Sequence, residues 1–383
     1  MRNTTLYKLA GPKTFRRAST ALLKKRFVLD GKIVTKGWGT NLQNLEKGAR
    51  KIYHPDGFKP EMKERLLWYL KTGDTDIFTE EELQSIRVFL QCDQSGAEAL
   101  IVAYECYAGD YRKLFENNIK PHVYVAMKLF KDIWTRKMKE RGGLIEDFNI
   151  ETISSTPIPL LKTNPFWKDL DLLIKSSDNW PLSERYYYFA KQTCHSANYD
   201  IQKNTFILNV LEKSGGKVVI PAEEGERFLL TYRALFPEIP ERNQRIAKQV
   251  KETRVLYNMF GHPYQVTNWN IDERDLKEYY AWGPQSTVGE ITRTAFCDLY
   301  EFIRDNKKPY DILADTHDSY LVQCPLHYAI ECKKSMQTFM AQPFESPVDG
   351  AKFRMKSEVN IGFNWSPKKD DNVLGLQEPD WLK

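Results

Sequence analysis

The stretch Arg87 to Gly109, RVFLQCDQSGAEALIVAYECYAG, organises the rest of this chain. Its apolar residues from Val88 to Cys92 predict a buried strand. Asp93 stands at the end of that strand, and Ser95-Gly96 turns the chain into a predicted helix. A carboxylate at the exit of a buried strand is costly unless a metal or a cation pairs with it. Asp93 is therefore either a helix-capping residue or part of a charged site.

A second stretch, Tyr310 to Pro325, bears on that choice. Its sequence, YDILADTHDSYLVQCP, places two apolar runs around the polar turn THDS. This pattern predicts a β-hairpin with Asp318 at or beside its tip. Asp93 and Asp318 could then converge on one edge of a sheet, where paired carboxylates hold Mg²⁺ while substrate phosphates complete the coordination.

The stretch Ser183 to Asp200 predicts a helix between these two sites. Lys191, His195 and Tyr199 recur every four residues, so on a helix they share one face. An ordinary core stripe is the alternative, but a Lys and a His in such a stripe argue against it, since cations are rarely buried unpaired. An exposed Lys beside two metal-binding aspartates indicates a phosphate ligand.

Together these stretches resemble the three motifs of the family A DNA polymerases, the group of DNA polymerase I. In motif order the matching residues are Asp93 and Glu98, then Lys191, His195 and Tyr199, then His317 and Asp318. Smaller matches lie in the family's order: Asn41-Leu42-Gln43-Asn44, His122, Phe260-Gly261-His262, Pro284-Gln285-Ser286-Thr287 and the strand Glu358 to Trp365. The resemblance covers about residues 35 to 367.

The resemblance implies an α+β fold with the polymerase right-hand architecture, in which an antiparallel-sheet palm carries a helical fingers subdomain. Residues 1–109 are expected to form a basic lead-in and the first part of the palm, and residues 110–275 the fingers. Residues 276–383 are expected to supply the second part of the palm and a C-terminal tail, which is predicted to be loosely held after Trp365. An insertion near residues 140–182 contains four prolines, which predict irregular structure.

The resemblance also implies the chemistry, which is nucleotidyl transfer with two Mg²⁺ ions, or Mn²⁺ in their place. Asp93, Asp318 and the backbone carbonyl of Gln94 are the expected metal ligands. The expected dNTP-binding residues are Lys191, His122, His195, Tyr199, Glu98, Gln94 and Arg185. Among these, Lys191 and His122 bind the triphosphate, Glu98 blocks a ribose 2′-hydroxyl, and Tyr199 stacks near the template base. The expected DNA contacts are Asn41, Gln43, Asn44, Gln285 and His317.

Several positions depart from the family's pattern. The family has an Arg four residues before the helix Lys, where this chain has Tyr187, and the nearest Arg185 lies off that helical face. His195 replaces the usual Phe or Tyr. Asp200 replaces a Gly, although an Asp is less able to adopt positive φ. Ser319 follows Asp318 where a Glu is common in bacterial enzymes.

The composition is compatible with an enzyme that acts on nucleic acid, but it does not require one. The 383 residues carry a net charge of +5 and no apolar run of membrane-spanning length. The six cysteines form no CxxC pair, which indicates reduced thiols in an intracellular protein. The resemblance implies that the compartment is the cytoplasm of a bacterial or phage-infected cell. Residues 1–29 contain no acidic residue. A mitochondrial presequence has this composition, but a phosphate-contacting segment that runs directly into residues 41–44 is favoured.

About 40 residues precede Asn41, where the family carries a helical thumb and usually an exonuclease-like domain. We therefore expect primer–template DNA and dNTPs as partners, together with a second protein chain that supplies the thumb or the exonuclease. No membrane partner is expected. Two alternatives remain open. One is a single-subunit RNA polymerase, whose hairpin often reads His-Asp-Ser, and the other is a non-catalytic DNA-binding polymerase subunit.

Overall fold

The structure is a computed structural model, and it describes residues 6–8, 18–20, 23–29, 32–38, 49–140 and 148–382. The predicted DNA contacts Asn41, Gln43 and Asn44 lie outside the described residues. The strands are β1 (Leu6–Lys8), β2 (Ala18–Thr20), β3 (Leu23–Leu29), β4 (Lys32–Trp38), β5 (Arg87–Gln94), β6 (Val255–Tyr257), β7 (Pro263–Gln265), β8 (Asp311–Thr316), β9 (Ser319–Pro325), β10 (Pro343–Glu345), β11 (Lys352–Arg354) and β12 (Ser357–Gly362).

Helices account for much of the rest. They are α1 (Lys63–Thr72), α2 (Glu80–Ser85), α3 (Ala97–Glu105), α4 (Asp110–Glu116), α5 (Pro121–Leu129), α6 (Lys131–Glu140), α7 (Ile150–Ser155), α8 (Trp167–Ser176), α9 (Tyr186–Asn198), α10 (Lys203–Lys213), α11 (Ala222–Leu235), α12 (Glu238–Thr253), α13 (Glu273–Asp305) and α14 (Ala329–Met340). With its antiparallel sheets, this content confirms the α+β class predicted from the sequence. Within the described ranges, no helix is both long and apolar enough to cross a membrane.

The chain divides into two compact units. Unit 1 comprises residues 1–97, 285–344 and 352–383, and unit 2 comprises residues 98–284 and 345–351.

Unit 1 is organised around a four-stranded antiparallel sheet with the order β12–β5–β9–β8. The apolar run of β5 is buried on both faces, which is why its sequence reads as a nearly continuous hydrophobic stretch. On one face Phe89 packs in a cluster with Leu321 and Trp365. Helix α14 packs against β5, and Tyr320 Oη of β9 donates a 2.9 Å hydrogen bond to Met336 O of α14.

The segment after Trp365 belongs to the core of unit 1, so the prediction of a loosely held tail is wrong. Leu374, Leu376 and Leu382 are buried. Trp381 packs edge-on against Tyr69 of α1 at 5.4 Å between ring centroids, and its Nε1 donates to Leu70 O at 3.0 Å. The tail reads as polar because it contains few apolar residues, but three of those residues, Leu374, Leu376 and Leu382, become buried.

Unit 2 is mostly helical, and α9 lies at its centre, packed against α5, α8, α10 and α11. The strands β6 and β7 form a small antiparallel pair, and Leu256 of β6 belongs to a second apolar cluster with Val250, Val266 and Trp282.

The irregular structure predicted for residues 140–182 is wrong over much of that range. Helix α7, a 3-10 helix at Ile158–Thr163 and α8 occupy it. Pro157 and Pro159 stand at the start of the 3-10 helix, where a missing N–H leaves no hydrogen bond unmade. Prolines here mark helix starts and do not indicate irregular chain.

Candidate active site

The predicted hairpin is confirmed, and it brings Asp318 to the same end of the sheet as Asp93. The strands β8 and β9 are joined by the two-residue turn His317-Asp318. In the pairing of β5 with β9, Asp93 lies opposite Ser319, the residue after Asp318. The backbone N–H of Gln94 donates a 3.0 Å hydrogen bond to Asp318 O. The convergence of two strand-end aspartates, which spacing alone could not establish, is therefore present.

The donor set at this edge suits Mg²⁺. Asp318 is exposed and Asp93 is half-buried, so both carboxylates are open to solvent at this end of the sheet. Mg²⁺ takes oxygen ligands and usually keeps several waters, so one or two carboxylates with substrate phosphates suffice. In the part of the chain that the structure describes, no group of three or more His, Cys, Asp and Glu side chains is placed to hold a metal ion alone. A site of this composition relies on substrate oxygens to complete the coordination.

A further carboxylate at this edge was missed by the sequence analysis. Glu358 of β12 lies opposite Asp93 in the β12–β5 pairing, and Ser95 Oγ donates a 3.2 Å hydrogen bond to Glu358 Oε1. Residues directly opposite each other on antiparallel strands share a face of the sheet. The available signal was the alternation of Glu358-Val359-Asn360-Ile361, which predicts a strand but not its partner.

Gln94 and Gln285 occupy unit 1 beside this edge. The Gln94 side chain is buried, and its Nε2 donates to Thr292 Oγ1 at 2.6 Å and to Val288 O at 3.1 Å. Gln285 is half-buried on the same helix, α13. His317 is half-buried and adopts φ 56° in the turn.

In unit 2, α9 presents Lys191 and His195 on one exposed face, whereas the three residues between them, Gln192, Thr193 and Cys194, are buried. The shared face predicted from their spacing is therefore confirmed for these two residues. Tyr199 differs, because α9 ends at Asn198 and Tyr199 is the buried residue that follows.

His122 of α5 lies beside this cationic face. Burial lowers the pKa of His122 to about 3, and the positive charges of His195 and Lys191 lower it further. The ring is also 5.9 Å from that of Tyr187, centroid to centroid. His122 is therefore neutral at pH 7, so it can serve as a hydrogen-bonding group without adding charge. Nearby, burial and Lys191 lower the pKa of Lys213.

Arg185 immediately precedes α9, and its Nε donates to Trp180 O at 3.0 Å. One of its donors is therefore committed to holding the preceding loop. Its expected contact with a nucleotide stays a prediction.

Tyr199 and Glu98 are joined directly. Tyr199 Oη donates a 2.8 Å hydrogen bond to Glu98 Oε2, and burial together with the Glu98 charge raises the pKa of Tyr199 well above its usual value. The next residue, Asp200, adopts φ 55° although it is not glycine. Its carboxylate accepts a 2.9 Å hydrogen bond from Arg233 Nη2, which helps hold this left-handed conformation.

A buried polar network holds the C-terminal end of α9, and the sequence analysis missed it. Asn198 Nδ2 donates to Tyr111 Oη at 3.1 Å, and Tyr232 Oη donates to Asn198 Oδ1 at 2.5 Å. Asn243 Nδ2 donates to Asn198 O at 3.3 Å. Asn198 thus ties α9 to α4, α11 and α12. The one signal for this network in the sequence was a polar residue, Asn198, at the end of a predicted helix.

No protein-family model matches this chain, and no curated protein matches it. Among solved structures, it is similar to the POL domain of Pol1 from M. smegmatis in complex with DNA primer–template and dNTP. That match has a TM-score of 0.55 and 14% sequence identity, and it covers 94% of this chain and 47% of that chain. The chain therefore spans about half the length of that chain, and the likeness shows a polymerase-like fold.

Proposed function

We propose that this chain is a template-directed DNA polymerase that adds dNTPs to a primer 3′-hydroxyl by two-metal-ion nucleotidyl transfer during DNA replication. The observation that carries the proposal is that Asp93 and Asp318 stand at the same end of the sheet, since Asp93 lies opposite Ser319 and the Gln94 N–H donates to Asp318 O. The polymerase-like fold adds support.

In this proposal Asp93, Asp318 and the Gln94 carbonyl hold two Mg²⁺ ions, with Mn²⁺ as an alternative. Such ions, when bound, lower the pKa of a coordinated hydroxyl and neutralise charge on a leaving pyrophosphate. The chain's own contribution is to supply both carboxylates at one end of the sheet, with Asp93 near the end of β5 and Asp318 in the turn that leads into β9.

Lys191 and His122 bind the triphosphate. The Lys191 ammonium neutralises phosphate charge as a point cation. His122 stays neutral because of its lowered pKa, so it contributes a hydrogen bond. His195, which lies on the same exposed face as Lys191, takes the position where the family carries an aromatic ring beside the nucleotide.

Glu98 excludes a ribose 2′-hydroxyl, and Tyr199 fixes its carboxylate through the 2.8 Å hydrogen bond. Tyr199 also stacks near the template base. Gln285 and His317 contact the primer terminus in the minor groove, where acceptors are shared by all correct base pairs. Asn41, Gln43 and Asn44 are proposed DNA contacts from the resemblance alone.

In the same proposal, unit 1 serves as the palm and unit 2 as the fingers. The second protein chain expected from the sequence also remains a proposal. Its test is primer extension under single-encounter trapping with the 383-residue chain alone. Long products without an added protein would contradict the need for a partner.

The deciding experiment is primer extension on a defined template with Mg²⁺, supplying dNTPs or rNTPs in parallel. Template-directed extension with dNTPs is the expected result, and it should require Mg²⁺ or Mn²⁺. Absence of extension with both nucleotide sets, while the chain still binds primer–template, would instead support the non-catalytic subunit.

A single-subunit RNA polymerase is the second candidate, because Ser319 follows His317-Asp318 as it often does in that group. Glu98 favours DNA synthesis over it. Preferential extension with rNTPs in the same assay would support the RNA polymerase.

A further inference from the structure

Thr292 links three elements at the aspartate edge of unit 1. It is buried in α13. Its Oγ1 accepts a 2.6 Å hydrogen bond from Gln94 Nε2 and lies 3.0 Å from His317 O and 3.2 Å from Val288 O. The Thr292 hydroxyl thus connects the end of β5 to the turn between β8 and β9.

The direction of these hydrogen bonds follows from the donors available. A carbonyl only accepts, so the Gln94 amide must present its nitrogen to Val288 O, which accepts it at 3.1 Å. A hydroxyl has one proton to donate. His317 O is the nearer acceptor, and Val288 O already accepts from Gln94, so the Thr292 proton belongs to His317 O.

Two successive carbonyls of the turn are therefore tied to one residue of β5. Asp318 O accepts from the Gln94 backbone N–H, and His317 O accepts from Thr292, which the Gln94 side chain holds in place. This matters because His317 adopts φ 56°, a left-handed conformation that favours glycine. A histidine keeps that strained conformation only when contacts with the surrounding structure hold it in place.

We propose that Thr292 is a positioning residue that fixes the His317-Asp318 turn relative to the end of β5, and thereby fixes the Asp318 carboxylate beside Asp93. The inference rests on the proposed function for its catalytic consequence. Its structural part concerns the turn itself and can be tested without catalysis.

The experiment makes two comparisons at position 292, and in each a side chain that has a hydroxyl is compared with one of similar size that lacks it. Thr292→Val is compared with the native Thr, and Thr292→Ala is compared with Thr292→Ser. Thr135→Val is the matched control, because Thr135 Oγ1 makes a helix-internal bond to Lys131 O at 3.0 Å, four residues back. Two measurements are made on the full chain. They are deuterium exchange of the peptide spanning residues 311–325 without metal, and the dissociation constant for Mn²⁺.

Loss of the hydroxyl should speed exchange in that peptide and weaken Mn²⁺ binding, each by roughly tenfold, because His317 O loses this donor and Gln94 Nε2 loses one of its acceptors. Thr292→Ser and Thr135→Val should remain close to the native chain. Equal exchange and equal Mn²⁺ affinity within both pairs would overturn the inference, whether or not the chain extends primers. Lack of extension by the native chain would count against the proposed function, and the exchange result would still decide the role of Thr292.

Discussion

Tyr199 Oη donates a 2.8 Å hydrogen bond to Glu98 Oε2 within unit 2. Tyr199 follows α9 directly and Glu98 lies in the first turn of α3, so this bond joins two motif residues that are far apart in sequence. It contributes to the orientation of the Glu98 carboxylate, so substitution of either residue should disturb that carboxylate.

The first prediction concerns sugar choice. Glu98→Ala should raise the ratio of kcat/KM for rNTPs to that for dNTPs by about 10- to 100-fold, since relieving one unfavourable contact is worth roughly 1–3 kcal/mol. Tyr199→Phe should raise the ratio less, because the carboxylate remains but loses its donor. Glu116→Ala, at an exposed position of α4, is the control. An unchanged ratio in an active Glu98→Ala enzyme would assign sugar discrimination to another residue.

The second prediction concerns the two aspartates. Asp93→Asn and Asp318→Asn keep the side-chain shape and remove the charge, so each should lower kcat by at least about 100-fold, as removal of transition-state stabilisation does. Primer–template affinity and melting temperature should change little. The control is Asp76→Asn, at an exposed position outside the sheet. Extension within about tenfold of the native rate by either variant would contradict the two-metal assignment.

The third prediction follows from the lowered pKa of His122. The folded chain keeps this ring neutral down to a pKa of about 3, whereas the unfolded chain takes up a proton near 6.5. Stability should therefore fall as the pH drops from 6.5 toward 3, by about 2 kcal/mol at pH 5 from this group. His122→Gln should remove that part of the loss, measured by denaturant unfolding at pH 7 and pH 5.

The pKa of His122 also tests whether Lys191 lies close enough to interact with it. Lys191→Gln removes one of the charges that disfavour protonated His122, so the pKa of His122 should rise, as followed by NMR titration of the imidazole. Lys162→Gln, at an exposed position before α8, should leave it unchanged. Equal titration curves for the native chain and Lys191→Gln would show that the two side chains are not coupled.

The fourth prediction concerns Asn198. Asn198→Ala leaves the hydroxyls of Tyr111 and Tyr232 without their shared partner in a buried site. We expect a loss of about 2–3 kcal/mol in unfolding free energy, the cost of stranded polar groups. Asn306→Ala, which removes an exposed bond to Phe302 O, should cost less than about 0.5 kcal/mol. Similar losses for the two variants would argue against the network.

The fifth prediction concerns the C-terminal segment. Trp381→Ala should destabilise the chain by about 2–3 kcal/mol, because it removes the contact with Tyr69 and the hydrogen bond to Leu70 O. Trp269 is 91% exposed, so Trp269→Ala is the matched control. A melting temperature for Trp381→Ala equal to that of the control would show that the segment is not held.

Hydrophobic spacing and turn residues predicted several helices and strands correctly. They failed to predict helix boundaries that depend on contacts with distant parts of the chain. The residues from Ile291 to Asp305 predict a helix, but helix α13 begins at Glu273 and continues through Pro284. In this helix Gly283 lies close to α3, because a Cβ at Gly283 would lie 2.6 Å from Glu105 Oε1. Apolar residues keep helical spacing from His122 to Met138, and the structure divides that stretch between α5, which ends at Leu129, and α6, which begins at Lys131.

The sequence by itself determined the strand β5, the turn after it and the hairpin that carries Asp318, because hydrophobic periodicity and turn chemistry act over a few residues. It also determined that Lys191 and His195 share one helical face. Only the tertiary structure decided that Asp93 and Asp318 meet, that Thr292 ties the turn to Gln94, and that the C-terminal segment is buried. These relationships depend on strand register and on contacts between distant segments, which local spacing does not encode.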